Sequence, residues 1–390
     1  MSAPLSILLV APIRFYNAEA EYIRRLALGL LAGGHRAVIL GRPGSPLLDR
    51  ARQEGIPVCD RFRLDSLSPA HLLGLTGNLS RYLAREQYDV VNVHRSEGAI
   101  FVAWAVRRLR TLGARQTLGA RLTPGAHPLL IRTRGDMRPV RRDPINRRLY
   151  GRWTDQVIAT NELLRQELII RLALDPNRVH TVRFGLNPNE LAPRRPAEEA
   201  RRELGLKASA RVVGMLGRIG PVKGHRYLLE AAPAIVQAVP EAVFLVLYSM
   251  IEDQSDFQAR LQASPLRDRF HLVGPRPDPA DLMQLAEVAV IPSVGSEANC
   301  RVALEWMSLG KPVIGSRVGV IPELIEPATT GFLLLPRLAP ALADAVISLL
   351  RDPARARRLG QAGRRRVEEH FTDRHLIQQT ETIFTQSLPI

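Results

Sequence analysis

Val288-Ala289-Val290-Ile291-Pro292-Ser293-Val294-Gly295-Ser296-Glu297-Ala298-Asn299-Cys300-Arg301-Val302-Ala303-Leu304-Glu305-Trp306-Met307-Ser308-Leu309-Gly310-Lys311-Pro312-Val313-Ile314 is a strand, a loop, a helix and a strand in sequence. Val288–Ile291 is a short apolar run closed by Pro292, which reads as a buried parallel strand. Cys300 to Leu309 carries Val302, Leu304, Trp306 and Met307 and stops at Gly310, as a helix with a glycine stop does. Ile314 begins the next strand. In an open α/β sheet the loop between strand and helix lies at the carboxyl ends of the strands, where ligands bind. Free N–H groups at the start of the helix suit an anion. Glu297 falls in that loop and Glu305 about a turn and a half into the helix. A carboxylate in so apolar a segment needs a partner, and a hydroxyl-rich ligand would supply one. On spacing alone, an ordinary solvated helix residue also accounts for Glu305.

The same unit recurs upstream. Arg211–Gly217 reads as a strand, followed by Arg218-Ile219-Gly220-Pro221-Val222-Lys223-Gly224 and an amphipathic helix holding Tyr227, Leu228, Leu229, Ala232, Ile235 and Val236. Arg218 and Lys223 therefore sit in a Gly/Pro-rich loop at the end of a buried strand. The planar fork of Arg and the point charge of Lys both suit phosphate oxygens.

With both segments in view, the chain resembles the retaining glycosyltransferases of the GT-B fold, family 4 (glycosyl transferases group 1). The resemblance rests on Gly217-Arg218, Lys223-Gly224, Pro292-Ser293, Glu297 and Glu305, Gly310-Lys311-Pro312-Val313-Ile314, and Gly331-Phe332. These span the C-terminal half in the family's order. The resemblance implies an α/β fold of two Rossmann-like doubly wound domains facing a central cleft, with a C-terminal helix crossing back to the first domain. It implies that Arg218 and Lys223 bind the diphosphate of a UDP- or GDP-linked sugar donor, Glu305 the ribose hydroxyls, and Glu297 the transferred sugar. Asn299 and the backbone of Cys300, Arg301 and Val302 would complete the donor site. The acceptor hydroxyl would attack the face from which the diphosphate leaves, so the anomeric configuration is retained. No Asp-x-Asp triplet occurs, so no metal and no resident cofactor is expected.

The N-terminal half shows alternating strands (Ile7–Ala11, Ala37–Leu40, Asp89–Val93, Leu129–Thr133, Gln156–Thr160, Val179–Phe184) and helices (Ala18–Leu31, Ala99–Leu109), a doubly wound parallel sheet. The expected domains are 1–190 for the acceptor, 191–372 for the donor, and 373–390 as the returning helix, with Pro188–Ala200 as the linker. Relatives carry a Gly-rich turn after the first strand, where this chain has Arg14-Phe15-Tyr16-Asn17-Ala18-Glu19-Ala20. They carry His after the strand Leu129–Thr133, where this chain has Arg134-Gly135-Asp136. Asn17, Glu19, His94, Arg134 and Asp136 are thus the candidates for the acceptor side, and for a lone His such as His94 a structural role is an equal alternative.

Composition bounds the function. At 390 residues and 46% hydrophobic, the chain suits two moderate domains. No apolar run is long enough to span a bilayer, and Ser6–Pro12 has no basic residue before it, so it reads as a strand rather than a signal peptide. Cys59 and Cys300 alone support neither a disulfide framework nor a Cys-based metal site. A cytoplasmic location follows as the expectation. Residues 101–150 hold twelve arginines against Asp136 and Asp143, a balance of +10 within a chain total of +16. An Arg-preferring composition explains the choice of Arg but not the missing acids. The Arg107–Arg148 window therefore suggests an anionic partner: an anionic glycan or glycolipid acceptor, or the inner face of the cytoplasmic membrane, at about 1 kcal/mol per Arg. A nucleic acid is disfavoured, because the window lacks interleaved aromatics. A dinucleotide enzyme would need Gly-x-Gly-x-x-Gly after the first strand, which Pro12-Ile13-Arg14-Phe15 does not supply. Another GT-B enzyme, such as a sugar epimerase, is the nearest alternative, and lipopolysaccharide or other envelope-glycan synthesis the expected setting.

Overall fold

The computed structural model describes residues 3–64, 69–113, 127–250, 256–295 and 297–388. Ser296, Arg115 and Arg121, which entered the sequence reading, lie outside them. The chain divides into two units, one of residues 1–185 with 373–390, the other of residues 186–372.

In the first unit, apolar runs with β-branched residues form β1 (Ser6–Ala11), β2 (Arg36–Gly41), β3 (Val58–Cys59), β4 (Val90–Val93), β5 (Leu129–Arg134), β6 (Gln156–Ala159) and β7 (Val179–Thr181). They pair in parallel in the order β3-β2-β1-β4-β5-β6-β7. β1 is buried along its length apart from its first residue, as a central strand covered on both faces must be. One face packs on Leu79, Leu83, Val102 and Val106 from the helices Pro69–Glu86 and Ala99–Gly113. The helix Ala18–Ala32, capped by Asn17, contacts the chain's last helix, Asp373–Gln386. That last helix buries Leu376, Thr380, Ile383 and Phe384. Arg25 Nη1 reaches Asp373 Oδ2 at 2.6 Å, and His35 Nε2 lies 3.3 Å from Glu381. The C-terminal helix thus returns to the first unit through an apolar stripe and two polar ties.

In the second unit, β8 (Arg211–Leu216), β9 (Ala242–Leu247), β10 (Phe270–Val273), β11 (Val288–Ile291), β12 (Val313–Ser316) and β13 (Gly331–Leu334) pair in parallel in the order β10-β9-β8-β11-β12-β13. The helices His225–Ala238 and Ala339–Arg351 close one face over Val213, Phe244, Val288 and Val290.

The segment read as a linker is part of the second unit. Leu186 N donates to Phe371 O at 2.9 Å and Leu186 bridges Thr372, so the first and last residues of this unit run side by side. Pro188–Leu191 forms a 3-10 turn, and Ala197–Glu203 a helix. Arg194 N and Arg195 N both donate to the buried carboxylate of Asp281. Proline-rich composition suggested a linker, and these backbone donors bond a buried acceptor within the second unit.

Candidate active site

β8 and β11 are neighbours, yet the chain leaves β8 toward one edge of the sheet and returns at β11 to build the other. The crevice at their carboxyl ends is the topological switch point, where loops diverge and leave room for a ligand. The β8 loop ends at Gly224, with φ +79°, where an added Cβ would stand 1.9 Å from Pro292 O. Only glycine permits both that conformation and that approach. The loop consequently lies against the end of β11, and Lys223 Nζ reaches Glu297 Oε1 at 2.7 Å. The same oxygen accepts from Ser293 Oγ at 2.6 Å. Glu297 is 3% exposed, and its main-chain oxygen accepts from Val320 N at 2.9 Å. Gly319, at φ +54°, packs against that carbonyl so closely that a Cβ would lie 2.0 Å away. The buried carboxylate is held by a cation and a hydroxyl, as burial requires.

Cys300 follows in the left-handed region (φ 40°, ψ 49°), and the helix is Arg301–Ser308, starting one residue later than the sequence pattern suggested. That conformation costs an L-residue about 1–2 kcal/mol, a strain of the kind that gathers at functional loops. Burial, with the charge of Glu297, raises the Cys300 thiol above its usual range, so it remains protonated. Asn299 is buried with Oδ1 unpartnered. Glu305 is buried rather than solvated, and accepts from Arg301 Nε at 2.6 Å. Val302 is half-buried in the first turn, and Arg218 is exposed on the β8 loop. His225 begins the helix after Gly224. Burial, then the charge of Lys223, lowers it to about 4, and neither ring nitrogen has a partner.

The first sheet has its own switch point, between β1 and β4. Asn17 Oδ1 accepts from Ala20 N at 3.0 Å, so its side chain caps a helix. Glu19 pairs with Arg95 at 2.8 Å, and Arg95 also with Glu97 at 2.7 Å, which joins the β1 and β4 loops. Burial raises the Glu19 carboxyl, with Arg95 opposing. His94 is buried with both ring nitrogens unpartnered, and burial lowers it to about 3, so it is a neutral imidazole. Arg134 is buried and donates to Asp136 Oδ1 at 3.0 Å, Tyr150 Oη at 3.3 Å and Arg138 O. Asp136 also accepts from Arg138 N at 3.0 Å. The Arg134–Asp136 pair thus brackets the β5 loop.

The basic window divides. Arg132 and Arg134 alternate on β5 and are interior, Arg110 is paired with Asp155, and Arg107 lies over the Trp153 ring. Arg107, Arg108, Arg138, Arg141, Arg142, Arg147 and Arg148 are exposed. Counting charge along the chain overstated the surface patch, because β5 is buried on both faces and takes two of its members into the interior.

Sequence reading named Lys223, Glu297, Glu305, Arg301, Cys300 and Asn299 as one neighbourhood, and the structure brings Lys223 to Glu297 and Arg301 to Glu305. It assigned no role to Ser293 or His225, and it took Arg132 only as one charge of the basic window. Only Arg132 carried a signal: two arginines at i and i+2 in a strand share one face.

Two family models match the chain: residues 196–366 the glycosyl transferases group 1 model, and residues 18–185 the glycosyl transferase 4-like domain. The alpha-maltose-1-phosphate synthase of Mycolicibacterium smegmatis is 32% identical over 247 residues, covering 59% of this chain and 62% of that protein. The N-acetyl-alpha-D-glucosaminyl L-malate synthase of Bacillus anthracis is 26% identical over 322 residues, covering 81% and 79%. The D-inositol 3-phosphate glycosyltransferase of Corynebacterium glutamicum is 29% identical over 206 residues; there the match spans 50% of this chain and about half, 49%, of the relative. Among solved structures, a glycosyltransferase from Rickettsia africae superposes with a TM-score of 0.85 at 18% identity, covering 99% of both chains. Anabaena HepE in complex with UDP superposes with a TM-score of 0.83 at 20% identity, covering 98% of this chain and 100% of that one. Two parallel α/β units of GT-B type, with a glycosyltransferase domain matched in each, place this chain in the group 1 glycosyltransferases.

Proposed function

We propose that this protein transfers a sugar from a nucleotide-sugar donor to a hydroxyl of an anionic acceptor, with retained configuration and without a metal. The observation that carries the reading is the Lys223–Glu297 contact of 2.7 Å at the switch point of the second sheet. Glu305 stands about one turn into the helix that follows, buried and paired with Arg301. As the bond from the sugar's C1 to the diphosphate breaks, negative charge grows on the leaving group. A cation already fixed by a buried carboxylate meets that charge without reorganising. Lys223 and Arg218 would stabilise the diphosphate, Glu305 the ribose, and Glu297 the sugar hydroxyls, with a diphosphate oxygen taking the acceptor's proton. HepE was solved with UDP and with UDP-glucose, which supports a UDP-linked donor. The names of the relatives carry a sugar phosphate, malate and an inositol phosphate, which supports an acidic acceptor held by the first unit.

The test is a thermal-shift panel of UDP, GDP and ADP, followed by transfer assays with the matching nucleotide sugars. One nucleotide should stabilise the protein, and the product's anomeric proton coupling should match the donor's. Silence toward every nucleotide defeats the reading, and an inverted product defeats the retaining step.

We also propose a setting at the cytoplasmic membrane face, in envelope-glycan synthesis. Arg107, Arg108, Arg141, Arg142, Arg147 and Arg148 are exposed, as are Trp104 and Ile145. At about 1 kcal/mol per basic residue, co-sedimentation should occur with anionic vesicles and not with neutral ones. Equal binding to both removes this part.

A further inference from the structure

Arg132 is 4% exposed on β5, yet no carboxylate pairs with it among the described residues. Its guanidinium lies 4.5 Å from the centroid of the Tyr150 ring. Nη2 donates to Ser96 Oγ at 2.9 Å, while Nε and Nη1 are buried with no partner. Tyr150 also takes Arg134 Nη1 on its hydroxyl at 3.3 Å, and Arg134 Nε is likewise unpartnered. One tyrosine thus carries two buried guanidiniums, and among the described residues Asp136 is the one carboxylate paired with either. Burying a cation without its counter-charge is among the most unfavourable arrangements a fold can hold. Orphaned donors at an interior site call for a missing acceptor.

The position argues for a ligand rather than a defect. Arg132 and Arg134 stand at the carboxyl end of a central strand of the first sheet. Ser96, which caps Arg132, belongs to the β4 loop, three residues before the helix Ala99–Gly113. The positive end of that helix adds to the same field. Ser96 is itself exposed, so the guanidinium is one hydroxyl away from solvent. An oxyanion that displaced Ser96 Oγ would meet a planar fork with donors to spare, the geometry for which Arg is suited.

We propose that Arg132, supported by Arg134 and Tyr150, binds the phosphate or carboxylate of the acceptor substrate. The inference rests on the reading of the first unit as the acceptor's. It differs from the exposed arginines in kind: those would attract a surface, whereas Arg132 would recognise one group on one molecule.

The test uses the full chain saturated with whichever nucleotide stabilises it, so that the diphosphate site is filled. Inorganic phosphate and L-malate are then titrated, with melting temperature and calorimetric affinity as readouts. One of the two anions should raise the melting temperature further. Arg132→Met should weaken that anion at least about tenfold, the loss of a charge-assisted bond, while leaving the nucleotide response intact. Lys223→Met should do the reverse. Because Arg132→Met removes a buried charge that lacks a counter-ion, the anion-free protein should melt no lower than wild type. Ser96→Asp is the second variant, at an exposed position that folding tolerates. It supplies a carboxylate in place of the ligand, so it should raise the anion-free melting temperature and abolish the anion response. The proposal is overturned if Arg132→Met or Ser96→Asp keeps the wild-type anion affinity. It is equally overturned if wild type answers the nucleotide but neither anion. A protein that ignores all nucleotides would instead refute the proposed transferase activity, and the anion titration would be read on the unliganded chain.

Discussion

Replacing Lys223 by Met separates two roles that the structure joins in one contact. In the unliganded protein the substitution leaves the Glu297 carboxylate, 3% exposed, to the hydroxyl of Ser293 and the thiol of Cys300. Breaking a fully buried ion pair on one side costs about 3–5 kcal/mol. The Lys223 side chain is 21% exposed, so water already screens part of the pair, and about 1–3 kcal/mol is the expected loss. For a unit of this size that is a fall of roughly 3–10 °C in melting temperature. Glu297→Gln, which leaves the more accessible lysine behind, should cost less, and the double variant should recover part of the loss. In the presence of nucleotide the effect grows. A charge-assisted bond to phosphate contributes about 1.5–3 kcal/mol, so affinity should fall by roughly 10- to 150-fold. At a ligand concentration that gives wild type about 2.7 kcal/mol of stabilisation, about half to nine-tenths of that gain should vanish. Differential scanning fluorimetry with and without nucleotide measures both quantities, and calorimetry checks the second. A Lys223→Met protein that melts lower but binds nucleotide as wild type does would refute the argument: Lys223 would then be a structural counter-ion to Glu297 and nothing more.

Other outcomes follow from single contacts. Gly224→Ala puts a Cβ against Pro292 O at 1.9 Å in a left-handed conformation; it should destabilise the second unit by about 3 kcal/mol or more and weaken nucleotide binding, as thermal shift would show. Phe384→Ala, at a fully buried site on the returning helix, should cost about 3–5 kcal/mol in denaturant titration yet leave nucleotide affinity unchanged. His94 and His225 are lowered by burial from 6.5 to about 3 and about 4. Above pH 6.5 neither folded nor unfolded imidazole is charged, so they are neutral to stability there. Below it the unfolded chain takes protons that the folded one refuses, and each site removes about 1.4 kcal/mol per pH unit until its folded pKa is reached. Melting temperature should therefore drop between pH 6.5 and 5, and His94→Gln should flatten the slope; an unchanged slope would contradict a buried neutral His94.

Much of this was legible along the chain because the signals were local. The alternation of apolar runs with amphipathic segments follows from periodicity, and Val288–Ile291 matches the structure residue for residue. The two loops at the switch point of the second sheet were legible for the same reason: Lys223-Gly224 and Glu297 to Glu305 are each a short spacing between one strand and the helix after it. Contacts between residues far apart in sequence were not. Nothing local announces that Lys223 and Glu297 touch across 74 positions, or that Asp281 would take two backbone donors of the Pro-rich segment. Arg132 and Arg134 counted as surface charge until the packing of β5, covered on both faces, placed them in the interior beside Tyr150. The sequence by itself determined which elements form and which groups carry charge, since propensity, period and composition act over a few residues. Only the tertiary structure decided which charges are neutralised and which stay unpaired, because that depends on which side chains the packed sheets bring within bonding distance, away from water.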